Sequence, residues 1–449
     1  MTDRVDLLIL GAGPAGMAAA VAGREQGLSV LLLDEGPSPG GQVYRALHRR
    51  DALDEQDAEG KALLAAFASS GAQIRHRATL WAVEDGERAF WSENGAAHSA
   101  IAGRIILAAG ATERPVPIPG WTLPGVMGVG AAQIAMKTAG LVPEGKVWMA
   151  GQGPLMWLYA VQVIRKGGHL AGIIDLSPYG IARRLAPHLA AAWQGRDELL
   201  KGLRWQNEVR RSGTPVIRAK EIAAKGNGKL EFVIFDNVQR SADLLLLHDG
   251  VVPNTQITRA IHGCRHEWDS VQRCWKPVLD AWGNTTIPGV MVAGDGGGIA
   301  GAAAAALSGR LAALEAACAM GRLDTAGRDA LAEPARLQLM RRLAVRPVLD
   351  AAFPPRSAYE IEDTTILCRC EEVTAGKVRD AVALGCLGTN QLKAFTRAGM
   401  GPCQGRVCGP AIHAVIAAER GVPPDEVEPL RTRFPTKPLT LGELASLAS

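Results

Sequence analysis

An apolar run, Val5 to Leu10 with one acid at Asp6, breaks directly into Gly11-Ala12-Gly13-Pro14-Ala15-Gly16, and no other feature narrows the fold of this chain so far. Such a stretch, unbroken from Leu7 to Leu10, reads as a strand buried on both faces, the form found in parallel sheets. The glycines have separate tasks. Gly11 makes the tight turn, Gly13 lets backbone approach a pyrophosphate, and Gly16 lets the next helix close on the strand. Met17 to Gln26 is alanine-rich and helical, Gly27 ends it, and Ser29 to Leu33 is the following strand, closed by Asp34 and Glu35. Strand, turn, helix, strand and acid are in register as one βαβ unit. Its helix N-terminus faces the phosphates of a dinucleotide, and Asp34 stands where a carboxylate accepts ribose hydroxyl hydrogens. Glu35 and the loop residues Gly41 and Gln42 join the same candidate site, as do Pro14 and Ala15 of the turn.

The unit recurs. Val147 to Ala150 reads as a strand, Gly151-Gln152-Gly153-Pro154 as a turn, Leu155 to Lys166 as a helix, and Leu170 to Ile174 as a strand ending at Asp175. Met156 replaces the third glycine, which should push the helix off the strand or fill the space of a ligand. Gly151, Gly153 and Asp175 are the candidate residues here. Asp175 would repel a 2′-phosphate, favouring NAD over NADP, while an inert fold or a regulatory nucleotide stays open. Arg104 to Gly110 is a further buried strand leading into Ala109-Gly110-Ala111-Thr112. Pro288 to Asp295 is another, ending in Gly294-Asp295 ahead of an alanine-rich helix over 299–319. Asp295 suits the ribityl chain and pyrophosphate of FAD, or alternatively a helix N-cap. Between these motifs, 44–70 reads as polar helix, 71–101 as a small antiparallel layer, 120–130 as irregular, 201–252 as alternating strands, and 334–366 as connector.

Near the other end stand Cys368-Arg369-Cys370 and then Gly399-Met400-Gly401-Pro402-Cys403-Gln404-Gly405-Arg406-Val407-Cys408. Two close pairs flanked by glycines read as a four-thiolate site, for zinc or for an iron–sulfur cluster. A one-residue gap is short for structural zinc, and glycines let backbone N–H groups approach the sulfurs, so [2Fe–2S] is favoured. Cys264, Cys274, Cys318 and Cys386 have no partner at short spacing and read as packing residues.

At 449 residues the chain has room for two or three domains, and its net charge of +4 is dispersed. No block of like charge argues for nucleic acid or anionic lipid. Close cysteine pairs are poor material for a disulfide framework, which points to a reducing cytoplasm. Leu7 to Gly23 is uncharged, but its glycines fit a strand and turn better than a signal or a membrane span. No Cys-x-x-Cys is present, and the nine histidines form no visible set of base and nucleophile, so no catalytic residue is assigned.

The glycine turn, Asp34, Ala108 to Thr112 and Val292 to Asp295 together resemble the two-dinucleotide-domain flavoproteins, both glutathione-reductase-like and thioredoxin-reductase-like. The cysteine segment is similar to the BFD-like [2Fe–2S] domain, although its second pair departs from the commoner two-residue gap. Motif order resembles the α (A) subunits of heteromeric D-hydroxyproline, proline and opine dehydrogenases, relatives of the cyanide-forming glycine dehydrogenase and sarcosine oxidase α subunits. This resemblance implies an α/β fold with a small helical C-terminal domain. It would comprise an FAD domain over 1–140 and 256–335, an NAD(P)-like domain over 141–255, a connector over 336–366, a [2Fe–2S] domain over 367–421 and a tail over 422–449. It further implies FAD, a [2Fe–2S] cluster, and an FMN site at a subunit interface. The expected partners are a D-amino-acid-oxidase-like β subunit that oxidises the substrate, a small γ subunit, and a quinone-type acceptor. The expected location is the cytoplasm or the periphery of the inner membrane.

Overall fold

The opening apolar run becomes Asp3–Leu10, the middle strand of the first sheet. A computed structural model describes residues 3–51, 55–356 and 361–447. In that sheet Asp3–Leu10 lies parallel between Val30–Asp34 and Ala96–Leu107, with Gln73–His76 outside Val30–Asp34 and Val290–Val292 also on Ala96–Leu107. Successive side chains face opposite sides. Leu7, Ile9 and Leu32 pack against Pro14–Glu25 and Ala302–Ala319 on one face, while Leu8, Leu10 and Leu31 pack against Leu80, Trp91 and Ile257 on the other. Alanine supplies most of the interface between those two helices, which lets their backbones approach closely. Ala302–Ala319 is long and apolar enough to cross a membrane by length and composition. Here it is a core helix, with Ala312, Ala313, Ala316 and Ala317 fully buried.

The second glycine turn follows Val147–Gln152, in a parallel sheet ordered Val216–Arg218, Gly172–Asp175, Val147–Gln152, Leu244–Asp249, Val126–Gly128. Val126–Gly128 and the helix Val129–Ala139 come from ahead of residue 141, in a stretch whose glycines suggest irregular chain. Pairing with Leu245 to Leu247 makes it a strand. Met156 neither opens a gap nor fills ligand space. It is fully buried, packed with Val147, Met149 and Tyr159.

Other expectations are corrected by the packing. Residues 79–101 do form antiparallel strands, Thr79–Glu84, Arg88–Glu93 and the start of Ala96–Leu107, but not a separate layer: Gln73–His76 extends the parallel sheet, and Ala96–Leu107 runs on into it. Helix covers only Glu55–Ser69 of the 44–70 stretch. Arg196–Arg211 is a helix, with Asp197 and Glu198 in its first turn and Arg210 and Arg211 in its last, matching the helix dipole. The expected connector contains the end of Thr325–Leu343 and all of Arg346–Ala352, both helical. Its residues 357–360 lie outside the described residues.

The cysteine segment has its own small core. Ile366–Cys368 pairs with Val373–Thr374, and helices Ala375–Ala383, Thr389–Thr396 and Gly409–Arg420 bury Leu367, Val378, Leu392, Ile412 and Ile416. It docks through the Trp121 indole N–H, which donates to the Ile366 carbonyl at 2.6 Å, and through Trp268, whose ring lies 4.8 Å from that of His413. The tail then runs back along the first sheet. Thr436 N–H donates to the Trp81 carbonyl at 2.9 Å, and Ala97 N–H to Ser446 Oγ at 2.8 Å.

Candidate functional site: a glycine-lined cavity and a four-thiol cluster

A cavity of about 1200 Å3 opens at the C-terminal ends of the first-sheet strands, where ligands of open α/β sheets bind. It is lined by Gly11, Gly13, Pro14, Ala15, Asp34, Glu35, Gly41, Gln42, Ala109, Gly110, Thr112, Gly153, Gly294 and Asp295. Gly16 lies behind it. A Cβ at Gly16 would sit 1.8 Å from the Gly11 carbonyl oxygen, so only glycine lets the helix start this close to the strand.

The acids divide their work. Asp34 Oδ2 accepts from Ala12 N–H at 2.5 Å and Oδ1 from Gly36 N–H at 2.7 Å, which pins the two loops around the turn. Glu35 reaches the cavity mouth and pairs with Lys437 at 2.9 Å. Asp295 Oδ1 accepts from Ala300 and Gly301 N–H, fixing the entry to Ala302–Ala319. Five buried polar atoms on residues that line the cavity, Arg45 Nε, Arg114 Nε, Gln152 Oε1, Gln256 Oε1 and Arg346 Nε, have no partner among the described residues. Buried polar atoms are ordinarily paired, so these fit a polar ligand. With the glycine approach and the helix N-terminus, they make the cavity a fit for an extended dinucleotide.

The second turn has different surroundings. Gly151 and Asp175 are absent from the cavity lining, and Asp175 Oδ1 accepts from Ser177 N–H. A strap, Phe353 to Arg356, crosses the turn. Gln152 Nε2 donates to the Pro354 carbonyl at 2.5 Å and to Asp249 Oδ1 at 2.8 Å, and Arg356 N–H donates to Asp249 Oδ2. Burial pushes the Asp249 carboxyl up and the Arg114 guanidinium down, each shift opposed by the other's charge. Beside them His248, 2% exposed, holds its Nδ1 2.6 Å from Glu113 Oε1, and Gly130 N–H donates to both Glu113 oxygens. No local pattern announces this dyad, because its members lie 135 positions apart. It has the arrangement of an imidazole oriented by a carboxylate, at the wall of the same cavity.

The four cysteines gather on one side of the C-terminal domain. All four are free thiols joined by hydrogen bonds: Cys368 with Cys408, Cys408 with Cys403, and Cys403 with Cys370. The Cys403–Cys408 bond holds the Cys403 thiol well below its ordinary range and pushes the Cys408 thiol up. Gly399 N–H points at Cys368 Sγ from 3.5 Å, and a Cβ on Gly401 would meet Cys370 Cβ at 2.2 Å. Among the described residues, no three His, Cys, Asp or Glu are drawn tightly enough to hold a single metal ion. A string of four thiols with backbone N–H donors nearby fits a two-iron cluster, which takes a thiolate pair at each iron. The remaining cysteines are packing residues: burial pushes the Cys264 and Cys274 thiols up to about 11.

Comparison with known proteins agrees with this geometry. Residues 5–140 match the pyridine nucleotide-disulphide oxidoreductase family, and residues 366–418 match the BFD-like [2Fe-2S] binding domain. The chain is 41% identical to the A subunit of opine oxidase from Agrobacterium tumefaciens (strain Ach5), over 100% of this chain and 92% of that one. It is 31% identical to the HcnB subunit of hydrogen cyanide synthase from Pseudomonas aeruginosa, over 98% of each. Among solved structures, L-proline dehydrogenase from P. horikoshii superposes with a TM-score of 0.73 at 22% identity, covering 99% of this chain and 80% of that one.

Fold and site together define an oxidoreductase subunit whose cofactors are FAD and a [2Fe–2S] cluster. Within that class, the chain belongs to the family of opine oxidase A subunits, with HcnB among its relatives.

Proposed function

We propose that this chain is the electron-carrying subunit of a multi-subunit dehydrogenase whose substrate is a secondary amine or imino acid of the opine, proline or D-hydroxyproline type. A partner subunit withdraws electrons from the substrate, and this chain relays them to an acceptor such as a quinone. FAD supplies two-electron chemistry that can be released singly, and the cluster supplies one-electron chemistry. The chain's residues bind, orient and insulate. Gly11 to Gly16 and the N-terminus of Pro14–Glu25 receive the pyrophosphate, Glu35 the ribose, and Asp295 the entry to the ribityl side. Cys368, Cys370, Cys403 and Cys408 hold the iron. Residues 1–140 with 256–335 are proposed as the FAD domain, and 141–255 as a nucleotide-fold domain without a hydride donor.

One observation carries this reading: a dinucleotide cavity and a four-thiol cluster meet in one chain, while among the described residues no cysteine lines the cavity to act as a redox disulfide. The names of the relatives agree, since the A protein of opine oxidase and the HcnB protein of hydrogen cyanide synthase are both named as subunits. The strap over the second turn speaks against a stand-alone NAD(P)H reductase. The test compares the chain alone with the chain co-expressed beside its partner. The chain alone should carry flavin and iron yet oxidise no opine or imino acid, and rapid flavin bleaching should not follow NADH in a stopped-flow mix. Substrate oxidation by the single chain, or bleaching by NADH, would overturn the assignment.

A further inference from the structure

The walls of the glycine-lined cavity are not supplied by the first sheet alone. Arg406, Thr436 and Lys437 also line it, and all three come from beyond the first cysteine pair. Arg406 stands between two cluster cysteines, in the loop Cys403-Gln404-Gly405-Arg406-Val407-Cys408. Its guanidinium donates to the Cys403 carbonyl at 3.3 Å and to the Thr436 carbonyl at 2.6 Å. Thr436 is itself clamped to Trp81 at the rim of the first sheet, and the adjacent Lys437 pairs with Glu35 across the cavity mouth. A second connection runs the other way. Gln256 Nε2 donates to the Gln404 carbonyl at 3.3 Å. The other end of that amide, Oε1, is one of the partnerless atoms on residues that line the cavity, and Gln256 is only 8% exposed. The cysteine loop therefore positions one cationic and one amide side chain at the cavity that the N-terminal glycine turn lines.

We propose that the cysteine loop completes the FAD site: Arg406 and Gln256, set in place by residues 403–408, bind the cofactor directly, so that FAD retention depends on the cluster being assembled. A guanidinium recognises the anionic diphosphate half of a dinucleotide by charge-assisted hydrogen bonds, and a fixed amide oxygen accepts from a ribose hydroxyl, an amine or a ring N–H. The loop takes its shape from the cysteines at its two ends. Without iron only thiol hydrogen bonds join Cys403 to Cys370 and Cys408 to Cys368, far weaker ties than iron–sulfur bonds, and the loop can withdraw both groups. Coupling of this kind is reciprocal: FAD should equally slow the loss of iron. It would keep a chain that lacks its exit cluster from holding a reactive, unconnected flavin.

This inference rests on the reading that the chain carries FAD and a [2Fe–2S] cluster, and the experiment separates the two. The full chain is purified, its flavin, iron and acid-labile sulfide are measured, and FAD affinity is determined by fluorescence titration of deflavinated protein. Arg406→Ala should weaken FAD binding by about tenfold or more, the size of a lost charge-assisted hydrogen bond, with far-UV circular dichroism unchanged and iron lost faster, as reciprocity requires. Arg406→Lys should recover part of the affinity, and Gln256→Leu should lower it about threefold to tenfold. Anaerobic removal of iron from the unaltered chain should weaken FAD binding at least as much as Arg406→Ala, which keeps the idea testable even if a variant does not fold. FAD affinity within about twofold of the untreated chain after iron removal and in both Arg406 variants would overturn the coupling alone. Absence of flavin or of iron from the unaltered chain would remove the underlying reading and the coupling with it.

Discussion

The two glycine turns of this chain share a sequence pattern and border one cavity, but different chain is laid over each. The first opens onto a cavity wide enough for a dinucleotide. Across the second lie a proline carbonyl, a buried carboxylate and a glutamine amide that ties them together. The residues that make the difference stand 97 and 202 positions from Gln152. A turn's own sequence fixes its backbone, whereas what it can bind is decided by what distant chain is laid over it.

Substitutions should expose this asymmetry. Gly16→Val should have the largest effect, because its Cβ would overlap the Gly11 carbonyl at 1.8 Å and backbone cannot move aside. A loss of more than about 4 kcal/mol and no flavin-loaded protein are expected in denaturant melts and visible absorbance. Equal flavin content in that variant would break the comparison.

Acid should next separate the two regions, with opposite signs. Burial pushes the His266 imidazole, beside the first sheet, from 6.5 down to about 4. Between those values the unfolded chain binds a proton that the folded chain does not. Stability there falls as pH drops through that window, by on the order of 3 kcal/mol. Burial pushes the Asp249 carboxyl at the second turn up instead, so the folded state keeps its proton to higher pH, and acidification favours that region. Hydrogen exchange at pH 7 and at pH 4.5 should show His266–Asp269 and Cys274–Pro277 losing protection while Leu244–Asp249 keeps it. Uniform loss would contradict the assignment.

Gln152→Ala removes the bond to the Pro354 carbonyl of the strap and the bond to Asp249, leaving the Arg356 N–H bond to Asp249, which should cost about 1–3 kcal/mol locally. Faster exchange in Phe353 to Arg356 with unchanged FAD content is the expected readout. Gly153→Ala should matter least. Its φ of +105° strains any other residue, but the added Cβ would come no nearer than 3.7 Å to His248. A cost of about 1–2 kcal/mol, with flavin retained, would heighten the contrast with Gly16→Val.

Much of the molecule was legible in the sequence because local patterns carried it. The strand, turn and helix at both ends of the nucleotide repeat, and the thiols of the cluster, follow from apolar runs, glycines and spacing within short windows. What was not legible is long-range. Val126–Gly128 becomes a strand only beside Leu244–Asp249, Ala96–Leu107 joins an alternating stretch to a core strand, and Glu113 meets His248 only after two sheets have assembled. Asp34 and Glu35 show the same limit at one position's distance. The sequence reading gives the ribose to Asp34, but Asp34 has each oxygen engaged by loop backbone, while Glu35 is left at the cavity mouth.

A flavin cavity and an iron–sulfur exit in one chain make a composition that can be weighed. The intact protein should be assayed for flavin, iron, acid-labile sulfide and zinc, with low-temperature electron paramagnetic resonance after reduction. FAD together with equal iron and sulfide, and a signal from a reduced two-iron cluster that vanishes in Cys403→Ser, is the predicted result. Zinc in place of iron, or a protein without flavin, would contradict it.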